Sequence, residues 1–140
     1  MDTVLIDSDV ILDFFFDRKP FSDHASIVLS LCELNKIKGY VTPVIISNVY
    51  YILRQTASHE DIIGKLRLLL GITDVLVIDK ESIIVALNSE FKDFEDALQN
   101  FAAEGSSEIS MILTRNIKDY KKSKLAVFTP ENYLRLRQLG

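Results

Sequence analysis

The chain of 140 residues carries 16 Lys and Arg against 20 Asp and Glu, a formal net charge of −4, and is 48% hydrophobic. Those proportions predict one folded domain over residues 1–140 and exclude a disordered or collagen-like chain. No apolar run approaches the roughly 20 residues that span a bilayer, no basic and apolar leader precedes the first strand, and a lone Cys32 makes neither an internal disulfide nor a thiolate zinc site, so a cytoplasmic protein without a membrane partner is expected.

The opening Thr3-Val4-Leu5-Ile6 is a β-branched run that stops at Asp7, a buried strand with an acid at its carboxyl end. A helical stretch follows. From Ser22, an expected N-cap, Ala25, Val28, Leu29 and Cys32 recur at helical spacing until Gly39. A strand is predicted at Tyr40 to Thr42, and Pro43 opens a helix whose inner stripe is Ile45, Ile46, Val49, Tyr50 and Leu53. Ser58 caps the next helix, Gly71 closes it, and Asp74 to Ile78 reads as a strand. Helical pattern covers Glu81 to Ser89 and resumes at Asp93, with Phe94, Ala97, Leu98 and Phe101 on one face and Gly105 at the end. Ile109 to Leu113 and Leu125 to Phe128 are the last strands, joined by the polar segment Thr114 to Lys124, and Thr129-Pro130 opens a terminal helix. Strands alternating with helices imply right-handed crossovers and a mainly parallel central sheet, a three-layer α/β/α sandwich of Rossmann-like type.

In open parallel sheets the functional crevice lies outside the carboxyl ends of the strands. Asp7 and Asp9 follow the first strand, Thr114-Arg115-Asn116 follow the strand that ends at Leu113, Asp96 sits in the first turn of the helix from Asp93, and Asp119 lies five residues past Thr114. Helix capping alone accounts for Asp93 as N-cap and Asp96 at N3. Asp7 is harder to explain that way, because an acid abutting a buried strand needs a crevice or a partner. If Asp7, Asp96 and Asp119 approach to about 4 Å, each like-charge pair costs roughly 4 kcal/mol at an effective dielectric constant of about 20. Protonation or a cation must then relieve them. An all-oxygen cluster without thiolates favours Mg²⁺ or Mn²⁺ over zinc. Asp9, Asp13 and Asp17 are expected toward the solvent side of the first helix, with Asp9 close enough to act behind the ligands.

Charge is unevenly distributed. Residues 1–110 hold 9 basic against 18 acidic side chains and residues 111–140 hold 7 against 2, so a body of −9 precedes an end of +5. Arg115, Lys118, Lys121, Lys122 and Lys124 gather around one acid, Asp119, and Arg54 adds to the rim. Beside a metal crevice such a group suits a phosphodiester backbone through salt-sensitive contacts without base specificity. The absence of G-x-G-x-x-G excludes the dinucleotide fingerprint.

Three segments together resemble the signatures of PIN-domain proteins: Val4-Leu5-Ile6-Asp7-Ser8-Asp9-Val10-Ile11-Leu12-Asp13, Asp93-Phe94-Glu95-Asp96-Ala97-Leu98-Gln99 and Leu113-Thr114-Arg115-Asn116-Ile117-Lys118-Asp119-Tyr120. The resemblance implies a PIN fold, a metal-dependent endoribonuclease using Mg²⁺ or Mn²⁺, and a VapC-like toxin with an RNA substrate, an antitoxin partner and a homodimeric state. Asp7 then matches the first family acid and Asp96 the third, Asn116 and Asp119 share the fourth acidic region, and Thr114 orients a ligand. The second family acid, usually Glu, falls on Asn48, a departure that removes a charge but keeps a carbonyl oxygen. The runner-up reading is a degenerate PIN fold that binds RNA or protein without cutting.

Overall fold

A computed structural model describes residues 1–139. The elements run β1 (Thr3–Ile6), α1 (Ser8–Phe15), α2 (Ser22–Glu33), β2 (Lys38–Val41), α3 (Pro43–Leu53), α4 (His59–Ile72), β3 (Thr73–Val75), α5 (Lys80–Leu87), α6 (Phe94–Gly105), β4 (Met111–Leu113), a 3₁₀ turn (Ile117–Tyr120), β5 (Ala126–Phe128) and α7 (Pro130–Leu139). The five strands form one parallel sheet in the order β3-β2-β1-β4-β5. In the central strand Val4, Leu5 and Ile6 are buried in succession. Consecutive burial means that both faces of the sheet are covered, as in an α/β/α sandwich.

Starts and stops follow local chemistry. Thr42 accepts a hydrogen bond from the Ile45 amide with Pro43 behind it, while Ser58, Asp79 and Asp93 cap α4, α5 and α6 by accepting from Asp61, Ser82 and Asp96. The start of α2 differs from expectation. Phe21 occupies the cap position without a side-chain bond, and the Ser22 hydroxyl donates to Asp17 instead, inside the turn that connects α1 to α2. β3 ends at Val75 rather than Ile78: it is an edge strand, and after the Leu76 amide donates to the Val41 carbonyl no further ladder bond holds the chain extended.

The main core joins β1, β2 and β4 to α1 through α4 by way of residues such as Ile6, Ile11, Ile45, Val49, Ile62 and Ile112. A smaller cluster, Ala86 with Ala97 and Leu98, seats α5 on α6. Cys32 is buried filler over β2: a Cβ built on Gly39 would come 2.6 Å from its sulfur, so this close approach requires glycine, and burial pushes the thiol up to about 11. Among the described residues no helix is long and apolar enough to cross a membrane.

β2 and β3 lie to one side of β1, and β4 and β5 to the other, so the connection reverses between β1 and β4. Such a switch point opens a crevice at the carboxyl ends of the two strands. Asp7 leaves β1 there and Thr114 leaves β4, and the two ends are tied together by the Asp7 amide donating to the Leu113 carbonyl at 3.0 Å.

Candidate metal centre

Asp7 caps the N-terminus of α1 and is 7% exposed. Its Oδ1 accepts from the Ser8 amide at 2.8 Å and the Gln99 Nε2 at 3.4 Å, and its Oδ2 accepts from the Thr114 hydroxyl at 2.9 Å and the Tyr120 hydroxyl at 3.4 Å. Burial raises its pKa against the opposing pull of those four donors. Gln99 is itself oriented by Thr42, whose hydroxyl reaches Gln99 Oε1 at 3.2 Å, so the ends of β1, β2 and β4 converge on one carboxylate.

Asp96, in the first turn of α6, meets Asp7 through Tyr120: the Tyr120 hydroxyl lies 3.2 Å from Asp96 Oδ1 while also in reach of Asp7. A phenol has one proton to donate, so it serves one carboxylate fully only if the other carries a proton or a cation. Burial, then the charges of Asp7, Asp93 and Asp119, push Asp96 up to about 7. Asp119 is exposed on the 3₁₀ turn yet its charge is felt at Asp96, whereas Asn116 is engaged through its backbone, its amide donating to Thr114 Oγ1 at 3.1 Å. Asp9 Oδ2 accepts from the Arg115 amide at 3.0 Å and faces the Thr114 hydroxyl at 3.3 Å, and burial and the Asp7 charge push its pKa up to about 6.

Two sequence expectations need correction. Asp13 does not face solvent: it is 1% exposed and binds Arg115 through both oxygens, Nε to Oδ2 at 2.5 Å and NH2 to Oδ1 at 3.0 Å. Arg115 in turn does not stand with the lysines as a free phosphate contact, because this fork and a Phe21 ring 4.0 Å from its guanidinium carbon hold it in place. Lys118, Lys121, Lys122 and Lys124 are exposed, with Lys122 3.4 Å from Glu90, and Arg54 closes the end of α3 by donating to the Ala57 carbonyl. Asn48 on α3 donates to Glu95 on α6 at 2.7 Å.

Gln99 and Tyr120 carry no clear mark of the site in the linear sequence. Gln99 is detectable in part, since three residues after Asp96 on a helix is the same face. Nothing local marks Tyr120, an aromatic that reads as packing.

The residues fit a small divalent cation. Asp9 Oδ1 and Ser8 Oγ are buried without a hydrogen-bond partner beside Asp7, and the side chains bonded to Asp7, those of Gln99, Thr114 and Tyr120, offer oxygen or amide atoms and no thiolate or imidazole. Among the described residues no three His, Cys, Asp or Glu side chains form a ready-made cage, but Mg²⁺ commonly takes one or two carboxylates and completes its octahedron with water and phosphate. The raised carboxyls also set a pH dependence. Asp9 and Asp96 hold protons in the folded state that the unfolded chain releases near pH 4, so their stabilising contribution is complete below that pH and is lost as pH climbs through 6 to 7, by up to about 1.4 kcal/mol per pH unit and group. Thermal unfolding of the metal-free chain should show a falling melting temperature from pH 5 to pH 7.5, and Asp96→Asn should flatten that fall; an unchanged slope in the variant would contradict the raised Asp96.

The chain is similar to known proteins over most of its length. A family model described as PIN domain matches residues 3–118. Ribonuclease VapC1 of Aquifex aeolicus (strain VF5) is 23% identical over 135 residues, covering 93% of this chain and 92% of that protein. Among solved structures, a toxin-antitoxin complex from Klebsiella pneumoniae superposes with a TM-score of 0.66 at 22% identity, over 91% of this chain and 97% of that one. VapBC2 from Rickettsia felis, bound to a DNA fragment from its promoter, superposes with a TM-score of 0.64 at 13% identity, over 89% and 96%.

Proposed function

The chain belongs to the PIN-domain family, and on that premise we propose that it is a Mg²⁺- or Mn²⁺-dependent endoribonuclease, the toxin of a toxin-antitoxin pair. The observation that carries this is the meeting of Asp7 and Asp96 across Tyr120 at the switch point of the sheet. Asp7 and Asp96 hold the cation, and Asp119 adds charge from the 3₁₀ turn. The bound ion supplies a water of lowered pKa and neutralises charge on the scissile phosphate. Thr114 and Gln99 keep the Asp7 oxygens from rotating, a supporting role whose loss typically lowers metal affinity about 10- to 100-fold. Lys118, Lys121, Lys122 and Lys124 track the RNA backbone by charge, so binding weakens steeply with salt.

The partner assignments rest on the relatives, whose structures are of toxin-antitoxin complexes. A second copy of the chain has an apolar helix face available on α5, where Ile84 is 49% and Leu87 66% exposed. The test is cleavage of a diverse RNA pool by the full chain. Strand scission with Mg²⁺ or Mn²⁺, at least about a hundredfold above that with a chelator, is the expected result. No cleavage beyond the chelated control, with RNA still bound, would replace the nuclease by a silent binding fold.

A further inference from the structure

Asp13 and Arg115 line a cavity of about 260 Å³ together with Phe21, His24, Pro130 and Glu131. It lies at the same end of the sheet as the metal centre: the Thr114 amide donates to the Phe128 carbonyl at 3.0 Å where β4 and β5 end, and the Arg115 amide donates to Asp9 at 3.0 Å. A guanidinium presents five N–H groups, enough for two forks. Arg115 gives the Nε–Nη2 fork to Asp13, which is 1% exposed and also 3.5 Å from Arg18, and rests its face on the Phe21 ring. Among the described residues its Nη1 bonds nothing, so the Nη1–Nη2 edge keeps two parallel donors that are held rigid from behind.

That edge matches two acceptors side by side, as in a phosphate, a carboxylate, or O6 and N7 of guanine. The carboxylates of the cavity decide among these. Glu131 gives one oxygen to Arg135 at 2.8 Å and keeps the other, so an anion bound to Arg115 would face negative charge from Glu131 and Asp13. Guanine is neutral, and beside its acceptor pair it carries N–H groups at N1 and N2 for which a carboxylate is the fitting acceptor. The rings of Phe21, His24 and Pro130 supply the apolar walls a base packs against. We propose that this cavity is a guanine site, filled by a base of the RNA strand whose backbone crosses the metal centre, with Arg115 and Glu131 selecting it. The assignment rests on the RNA-cleaving reading above.

Fluorescence anisotropy of labelled, otherwise all-uridine oligoribonucleotides, with the full chain and a chelator so that nothing is cut, tests this without reference to turnover. Wild type should bind a strand with one guanosine about tenfold more tightly than the same strand with adenosine, and carbon in place of guanine N7 should remove most of that gain. Inosine, which lacks the N2 amine, should fall between the two. Arg115→Lys keeps a charge for Asp13 but has no second edge, so it should bind guanosine and its N7-less analogue alike. Glu131→Ala, a change on the exposed first turn of α7, should bind guanosine and inosine alike. Melting curves check that each variant is folded. Wild type that binds the guanosine and adenosine strands within about twofold of each other, or variants that keep the full preference, overturns the assignment, whether or not free guanosine monophosphate binds, and leaves the nuclease reading intact. Wild type that binds no strand, with the chelator or with Mn²⁺, overturns both.

Discussion

Asp7→Asn should cleave RNA about a thousandfold more slowly than wild type, a loss of roughly 4 kcal/mol of transition-state stabilisation, while unfolding at a higher temperature in metal-free buffer at pH 8. The two effects share one cause. Asp7 is 7% exposed and its carboxyl is raised by burial, so at pH 8 the metal-free fold either confines a charge that water would solvate better or keeps a proton that the unfolded chain releases. A neutral amide relieves that cost. The introduced side chain would keep accepting from the Ser8 amide through its carbonyl, and the hydroxyls of Thr114 and Tyr120 can turn to accept from its nitrogen. A gain of about 1–2 kcal/mol, or roughly 3–8 °C, is expected. Paired cleavage rates and melting curves of wild type and variant check it. A variant that is both inactive and less stable would mean that Asp7 is chiefly a structural cap of α1, and a variant of undiminished rate would remove Asp7 from the chemistry.

Arg115→Ala should destabilise the fold by about 3 kcal/mol, far more than any of the four neighbouring lysines changed to Ala. Truncation would leave Asp13 buried with only the Arg18 guanidinium, 3.5 Å away, and would remove the cation stacked on Phe21. An uncompensated buried carboxylate is among the most damaging single changes. Arg115→Lys keeps the charge but not the planar fork, so an intermediate loss is expected. Because the Arg115 amide also donates to Asp9, the same fork steadies the carboxylate behind Asp7. Urea unfolding measures the losses. If Arg115→Ala stays within about 1 kcal/mol of wild type, the pair is no more than a surface ion pair.

Asp7 and Asp13 stand out unequally in the linear pattern. Asp7 is legible because a buried strand ending in an acid is locally anomalous. Asp13 is not, since a carboxylate four residues after Asp9 on a short helix looks like an ordinary solvent face until its partner, 102 positions later, is known. Local pattern places α1 in outline, the helix start at Pro43, the caps at Ser58 and Asp93, and the alternation that makes the sheet parallel. It misplaces the cap of α2 and overextends β3.

The sequence by itself therefore determined the elements, most of their caps and the class of the fold, together with the oxygen-rich residues that end the strands. These depend on contacts within a turn or two, where periodicity, capping and β-branching act and where each residue's neighbours are its sequence neighbours. The tertiary structure alone decided which carboxylates meet, that Tyr120 and Gln99 bind Asp7 from 113 and 92 residues away, that Arg115 turns inward to Asp13, and that Asn48 grips Glu95. Those choices are made by strand order and helix packing, which bring distant residues into hydrogen-bond range, and by the cost of burying charge, which selects the partner each must have.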